Sequence, residues 1–158
     1  MNQATIAPVR YEVTVPISAD QAFTLFTEGF NSWWIGHRIG KADLAEAVLE
    51  AKVGGRWYER GVDGSECDWG TVLVFDPPVR LVITWQINAQ WKYDPDPDHA
   101  SEIEVLFIEA DGETRVDFQH RHIERLGADA EDLARVVSAE GGWPTILDKF
   151  ADAAKAAA

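Results

Sequence analysis

A double proline near the middle of the chain, Pro77-Pro78, separates two apolar runs in the stretch FDPPVRLVITWQI. Proline cannot donate a backbone hydrogen bond to a sheet, so a strand must end there and the chain must turn. If Phe75 then lies opposite Leu81, side-chain alternation directs the large residues of both strands to one side of a sheet. The register predicts the pairs Leu73 with Ile83 and Thr71 with Trp85, and an apolar face made of Trp69, Leu73, Phe75, Leu81, Ile83, Trp85 and Ile87.

A second hairpin is predicted where Asp111-Gly112 joins the runs SEIEVLFIEA and ETRVDFQHRH. This dipeptide suits a two-residue turn, which sets Ala110 opposite Glu113. One apolar face and one mostly charged face emerge from that single register, which supports it. The predicted pairs are Phe107 with Val116, Val105 with Phe118, Ile103 with His120, Glu102 with Arg121 and Glu104 with Gln119.

Helix signals stand near both ends of the chain. After an alternating strand at residues 10–15, Ser18 and Gln21 form a capping box that begins a helix. Near the other end, Pro144 is favourable in the first turn of a long helix, and residues 129–137 predict a shorter one. The apolar residues at helical spacing are Ala22, Phe23, Phe26 and Phe30 in the first helix, and Trp143, Ile146, Leu147, Phe150 and Ala154 in the last.

The order of these elements predicts an α+β fold. Gly54-Gly55 and Asp63-Gly64 separate further strand-like runs, and consecutive strands with short turns form an antiparallel sheet. The C-terminal helix is the expected cover of the apolar sheet face, and a curved sheet around a helix leaves an internal cavity. The length of 158 residues suits a single domain over residues 1–158, with an ordered core at about residues 8–155.

The formal net charge of −13 and the single cysteine limit the function classes. An acidic surface repels nucleic acid and anionic lipid, so neither nucleic acid nor a membrane is expected as a partner. One cysteine cannot form an intrachain disulfide, and the sequence shows neither a signal-peptide pattern nor an apolar run of transmembrane length. A cytoplasmic protein is therefore expected, with Cys67 as a small buried residue rather than a reactive thiol.

The chain contains seven tryptophans. Tryptophan needs space and a partner for its indole N–H, so this number predicts a wide interior with some polar lining, although the rings could instead fill a solid core. Trp91 lies in the polar loop at residues 88–100 and is a candidate lid residue, and Trp85 is predicted to be a cavity wall residue. The residues predicted to line a ligand cavity are Trp33, Trp34, Trp57, Trp69, Trp85, Phe107, Phe118 and His120.

Two side chains are candidates for acid–base chemistry, His120 and Glu59, although neither is assigned as catalytic. His120 either points into the cavity as a ligand anchor or general base, or is a core histidine bonded to its neighbours. His122 is predicted on the same strand face as His120. Because no cysteine or carboxylate cluster joins this pair, no metal site and no cofactor are expected.

The direction of Glu59 depends on the length of the turn at Asp63-Gly64. Two loop residues would place Glu59 opposite Asp68, a like-charge pair. Three would pair Arg60 with Asp68 on the outside and would turn Glu59 inward together with Trp57. The charges favour the second arrangement. An inward Glu59 beside a tryptophan would suit acid–base work, whereas an outward one would be a solvated rim carboxylate.

Five stretches, in their order and spacing, carry a family resemblance. They are VPISADQAFTLF, VGGRWYERG, WGTVLVFDPPVRLVITW, SEIEVLFIEADGETRVDFQH and GGWPTILDKF. The chain resembles the START-like (SRPBCC) superfamily and, within it, the family of homologues of the activator of heat-shock-protein-90 ATPase. The resemblance implies a helix-grip fold, in which a curved sheet wraps around the C-terminal helix, and a hydrophobic cavity. It implies no single activity, because the superfamily includes lipid carriers, hormone receptors and cyclases.

Three functions are therefore considered. The leading hypothesis is a cytoplasmic binding protein for a small hydrophobic or aromatic molecule. The second is an aromatase or polyketide cyclase-like enzyme that uses His120 or Glu59. The third is an interaction module that regulates a chaperone, for which the charge of −13 would attract a basic partner. Either a monomer or a homodimer is compatible with the sequence.

Overall fold

The computed structural model describes residues 6–34 and 36–158. Residues 1–5, the start of the stretch without a signal-peptide pattern, and Ile35 lie outside the described residues. In the described part of the chain, no helix is both long enough and apolar enough to cross a membrane.

Seven strands among the described residues form one antiparallel sheet in the order β1-β7-β6-β5-β4-β3-β2. The strands are β1 (Val9–Val15), β2 (Leu44–Leu49), β3 (Arg56–Gly61), β4 (Glu66–Asp76), β5 (Arg80–Trp85), β6 (Ser101–Ala110) and β7 (Glu113–Arg121). The sheet curls around a long C-terminal helix, so the predicted α+β helix-grip fold is confirmed.

The helices also follow the sequence signals. They are α1 (Ala19–Thr27), α2 (Phe30–Trp33), α3 (Ala130–Ser138) and α4 (Trp143–Ala156), with 3-10 turns at Pro97–His99 and Ile123–Leu126. The predicted capping box is present, because the Ser18 hydroxyl accepts the backbone N–H of Gln21 at 3.2 Å. The apolar stripe of α4 is buried, and the Phe150 ring lies 5.3 Å from the ring of Phe26. Helix α4 therefore covers the concave side of the sheet.

The hairpin of β6 and β7 has the predicted register. Ala110 lies opposite Glu113, and all five predicted pairs beyond the turn are present. Asp111 and Gly112 both have positive φ angles, of 55° and 79°, as this type of two-residue turn requires. His120 consequently faces the core.

The hairpin of β4 and β5 keeps the predicted register only next to the double proline. Phe75 lies opposite Leu81, but the register then shifts, and Val72 rather than Leu73 lies opposite Ile83. The reason is a bulge, in which one extra residue on β4 reverses the faces of those beyond it. Leu73, predicted inside, is 43% exposed, whereas Val72 is 1% exposed.

The predicted pair of Thr71 with Trp85 is also wrong. The backbone N–H of Thr71 instead donates to the Thr84 hydroxyl, at 2.8 Å. Gly70 permits this close approach, because a Cβ atom there would lie 1.9 Å from the Thr84 carbonyl oxygen. Trp69 still reaches the inner face, because the register of β3 and β4 shifts a second time beside it, and both Trp69 and Trp85 are buried.

The turn between β3 and β4 has three residues, since the Gly61 N–H donates to the Ser65 carbonyl at 2.8 Å. Glu59 faces inward, as the charges favoured, and is 2% exposed. The predicted partner of Arg60 is wrong, because Arg60 pairs with Glu66 and not with Asp68. Gly61 and Ser65 close this turn, whereas a pairing of Arg60 with Asp68 requires Val62 and Glu66 to close it. That displacement changes the partners on the outer face but not the direction of Glu59.

Candidate ligand pocket

A cavity of about 380 Å³ opens at the edge of the core, beside the start of α4. Three segments surround it: residues 34–39 after α2, residues 85–91 after β5, and residues 136–146 around the turn from α3 to α4. Five tryptophans contribute to its lining: Trp34, Trp69, Trp85, Trp91 and Trp143. The other lining residues are His37, Arg38, Ile39, Ile87, Val136, Val137, Glu140, Gly141, Gly142 and Ile146. The lining is therefore mostly apolar and aromatic, with few polar groups.

The indole N–H groups of four wall tryptophans are bound to the protein. Trp34 donates to the His37 carbonyl at 2.9 Å, Trp69 to Glu59 Oε1 at 2.9 Å, Trp85 to the Ile87 carbonyl at 2.9 Å, and Trp143 to His120 Nδ1 at 3.1 Å. An indole nitrogen has one proton to donate. These four rings therefore offer a ligand their carbon surface and not a hydrogen-bond donor.

The same rings support one another around the pocket. The ring centroids of Trp34 and Trp69 lie 5.2 Å apart, with an interplanar angle of 43°. Those of Trp85 and Trp143 lie 5.4 Å apart, with an interplanar angle of 75°. Rings at such angles present differently oriented surfaces to the cavity, and their anchored N–H groups restrict rotation. The pocket is thus largely preformed.

Trp91 borders the pocket from the polar loop, where a lid residue was predicted. It is 42% exposed and has a φ of 60°, which is uncommon for a large side chain. Asn88 stabilises this local fold, because its Oδ1 accepts the backbone N–H groups of Gln90 and Lys92, each at 3.0 Å. Gln90 also donates to Asp129 at 3.2 Å, which links the loop to the start of α3. A lid role for Trp91 stays a prediction.

His120 lies behind the pocket wall and is fully buried. Because Trp143 donates to its Nδ1, the proton of the neutral ring is on Nε2 and is directed to the Ser101 hydroxyl, 2.7 Å away. Burial lowers the pKa of His120 to about 3, so the ring is neutral. Both ring nitrogens have partners and the residue is not part of the pocket lining. This geometry matches the core-histidine alternative.

Glu59 is neither a rim carboxylate nor an open acid–base group. Its Oε1 accepts the indole N–H of Trp69, the backbone N–H of Gly40 at 3.0 Å and that of Ile39. It therefore connects a pocket wall on β4 with the segment that carries the mouth of the pocket. Its other side borders a separate cavity of about 320 Å³ beside Cys67. Cys67 is half-buried and not buried as predicted. Burial, followed by the nearby Glu59 and Asp68, raises the pKa of Cys67, which agrees with the predicted unreactive thiol.

The structure divides the predicted ligand-binding residues into two groups. Trp34, Trp69 and Trp85 belong to the pocket lining. The others are buried in the core behind it: Trp33, Trp57, Phe107, Phe118 and His120. A role of these residues in ligand binding stays a prediction. Trp57 Nε1 is the one fully buried side-chain nitrogen or oxygen in the described residues without a hydrogen-bond partner.

The predicted position of His122 is wrong. Strand β7 ends at Arg121, and His122 follows it with a φ of 60°. Its side chain is 43% exposed and lies 3.7 Å from the carboxylate of Glu124. The positive φ angle redirects the chain, so His122 cannot share a strand face with His120. Among residues 6–34 and 36–158, no group of three or more histidines, cysteines or carboxylates could hold a metal ion.

Sequence reasoning missed Trp143, His37 and Glu140 as lining residues. Helical spacing places Trp143 only in the apolar stripe of α4, although it is the first residue of that helix. The preceding Gly141-Gly142 was the available signal. Gly141 has a φ of 87°, and a Cβ atom on Gly142 would lie 2.3 Å from the Val137 carbonyl oxygen. Two such glycines indicate a tight turn that brings a helix start close to another element.

Comparison with known proteins places this geometry in a family. The model of the family described as Activator of Hsp90 ATPase homolog 1-like protein matches residues 16–155. No functionally curated protein matches the chain.

Solved structures match over nearly the whole chain. The anthrahydroquino-gamma-pyrone synthase Txn09, complexed with SUM, is 37% identical over 96% of this chain and 99% of its own, with a TM-score of 0.65. The self-sacrificing resistance protein CalC from Micromonospora echinospora is 37% identical over 95% of both chains, with a TM-score of 0.71. The Aha1 dimer from Colwellia psychrerythraea is 14% identical over 95% of this chain and 97% of its own, with a TM-score of 0.64.

Proposed function

The chain belongs to the Activator of Hsp90 ATPase homolog 1-like family, and we propose that it binds a small planar aromatic molecule in the tryptophan-lined pocket. One observation carries this proposal. Four wall tryptophans direct their N–H groups into the protein, so the part of each ring that borders the open cavity of about 380 Å³ is carbon surface, a small part for Trp69, Trp85 and Trp143, which are buried.

The size and chemistry of the pocket favour a flat, mostly apolar ligand. Small-molecule sites usually enclose about 300 to 1,000 Å³, and this cavity lies at the lower end of that range. Aromatic rings gain from offset or edge contacts with other rings beyond the area that they bury. A strongly hydrated ligand would lose its water against a wall that donates few hydrogen bonds, at a free-energy cost. A fused-ring compound meets these conditions better than a sugar or a phosphate ester.

The relatives support this ligand class. A protein with 37% identity to this chain is named an anthrahydroquino-gamma-pyrone synthase, and the name describes a fused aromatic ring system. The second relative at 37% identity is named a self-sacrificing resistance protein, and that name specifies no ligand. Neither name establishes a reaction for this chain, because one fold serves several functions.

A second candidate function, a cyclase-like enzyme, is favoured by the synthase relative alone. His120 and Glu59 are poor candidates for its acid–base groups, because both are engaged inside the protein. His37 and Glu140 border the cavity and are better placed. A chaperone-regulating role stays a prediction, since the Aha1 structure is only 14% identical and supports the fold alone.

Blocking the mouth of the pocket tests the proposal. Val136 lines the pocket and is 49% exposed, so Val136→Trp would fill space at the mouth without disturbing the core. Ile108→Trp is the matched control, because Ile108 is 39% exposed and is not a lining residue. Binding of a hydroxyanthraquinone would be measured by calorimetry. Val136→Trp should weaken or abolish binding, whereas Ile108→Trp should leave it unchanged. Equal binding by both variants, or no binding of any planar aromatic probe by the unmodified protein, would refute the proposal.

A further inference from the structure

We infer that the pocket favours an aromatic ligand that carries a positive charge, and that Glu140 at its mouth selects this charge. The inference rests on the proposed function and adds the charge of the ligand to it. It follows from the few polar groups of the lining, because some of them have partners within the protein and others do not.

The two charged lining residues differ in their partners. The Arg38 guanidinium lies 2.5 Å from the carboxylate of Asp43, so its charge is compensated. The carboxylate of Glu140 has no ion pair or hydrogen bond in the described part of the chain. A ligand that enters the pocket therefore meets one uncompensated negative charge.

The histidine of the lining donates to the protein and leaves an acceptor for a ligand. His37 Nε2 lies 3.0 Å from the Gly141 carbonyl oxygen. A carbonyl oxygen only accepts, so Nε2 carries the proton of the neutral ring and Nδ1 is left as an acceptor. Both His37 and Glu140 would then match a ligand that donates hydrogen bonds, as an aromatic amine or ammonium does.

The tryptophan walls favour the same charge. A cation near an indole face is attracted by the negative potential of the ring, and tryptophan gives the strongest such attraction among the aromatic side chains. None of the four anchored rings offers its N–H to an anion in exchange. The formal net charge of −13 adds a long-range field that attracts cations to the protein.

One feature acts in the opposite direction. Helix α4 begins at Trp143, and the start of a helix carries about half a positive charge. Glu140 lies three residues before Trp143, and its full negative charge is larger than that partial charge. Glu140 therefore offsets the start of the helix and disfavours an anionic ligand at the mouth.

Three probes of nearly equal shape test the inference: N-methylacridinium as the cation, anthracene as the neutral ring and anthracene carboxylate as the anion. Affinities would be measured by quenching of tryptophan fluorescence at low and at high ionic strength. The cation should bind about tenfold more tightly than anthracene, from the strength of a desolvated cation–π contact. The anion should bind most weakly, and the preference for the cation should decrease with added salt.

Glu140→Gln should reduce the affinity for the cation about threefold, as expected for one exposed charge pair, and should leave anthracene binding unchanged. The matched control is Glu131→Gln, which removes one exposed carboxylate from α3 outside the lining. This control should retain the wild-type preference. Equal losses in both variants would mean that the net charge alone acts, and would overturn the assignment of Glu140. Tightest binding of anthracene carboxylate, or equal binding of all probes, would overturn the charge preference while the proposed function stands. Binding of no probe would refute the proposed function and the inference together.

Discussion

Replacement of Trp85 by alanine separates a pocket wall from a close-packed core residue. The Trp85 ring has aromatic neighbours on its protein side, with centroids 5.3 Å away at His120, 5.4 Å at Trp143 and 5.9 Å at Trp57. Its other side borders the cavity of about 380 Å³. The ring therefore makes fewer packing contacts than one that is enclosed on all sides.

The expected loss of stability follows from this one-sided packing. Removal of a large aromatic side chain from a full core costs about 3–5 kcal/mol. Because Trp85 is only 8% exposed and borders the cavity with a small part of its surface, Trp85→Ala should cost about 3 kcal/mol, at the lower end of that range. Phe150→Ala is the reference, because Phe150 is 0% exposed and packs against Phe26 and Trp33 away from the lining. It should cost the full core value.

Urea denaturation followed by far-ultraviolet circular dichroism would measure both variants, because that signal does not depend on the number of tryptophans. Trp85→Ala should also reduce the affinity for a planar aromatic probe about tenfold or more, from the lost ring contact and buried area. Equal losses of stability in the two variants, with unchanged affinity in Trp85→Ala, would show that Trp85 is a structural residue and would refute the reasoning.

Further predictions concern the buried polar groups behind the wall. Glu59→Leu leaves three N–H groups without an acceptor and should reduce the free energy of unfolding in urea by about 3 kcal/mol or more. Glu59→Gln retains an acceptor and should reduce it less. Equal reductions would contradict this reasoning. His120 has a pKa of about 3 in the folded protein, below its value in the unfolded chain. Its contribution to stability is therefore fully present above the unfolded pKa. Below about pH 6 the free energy of unfolding falls by about 1.4 kcal/mol for each unit of decreasing pH. Denaturation between neutral pH and pH of about 5 should therefore show a steeper loss in the unmodified protein than in His120→Gln. Trp57→Phe removes an N–H without a partner, whereas Trp69→Phe removes a donor to Glu59. The loss of stability should therefore be smaller in Trp57→Phe, by about 1 kcal/mol or more. The reverse order in denaturation would contradict the assignment.

How far the sequence predicts the fold depends on whether a local signal determines the register. Asp111-Gly112 fixes a two-residue turn, and the apolar and charged faces of β6 and β7 then test that register at every pair. The double proline fixes Phe75 opposite Leu81 in the same way. The register then shifts between Val72 and Val74, and beyond the shift Gly70 approaches Thr84, which is a contact between strands. Alternation within one strand carries no information about such a contact.

The candidate site was predicted in part for a similar reason. Trp69 and Trp85 are inner residues as predicted, although two register shifts interrupt alternation along β4, and alternation does not distinguish an inner residue beside the cavity from one behind it. Trp57 is an inner residue of the second kind. Trp143 is a lining residue that helical spacing assigns to the core. Its place in the first turn of α4 brings it to the pocket. The position along each element, which the three-dimensional arrangement decides, separates lining from core.

The anchored indoles also explain how the protein keeps an open space inside an aromatic core. Rings beside a cavity lose packing contacts on one side and would gain by moving into it. Each anchored N–H opposes that movement, because a displaced ring would leave a buried donor or acceptor without its partner. For Trp143 the acceptor is His120, and it can accept only while its ring is neutral at Nδ1. Burial, which lowers the pKa of His120 to about 3, maintains that state over the physiological pH range. The histidine that the sequence offered as a possible catalyst thus has a structural role that bears on the site, since it holds one wall of the pocket in place.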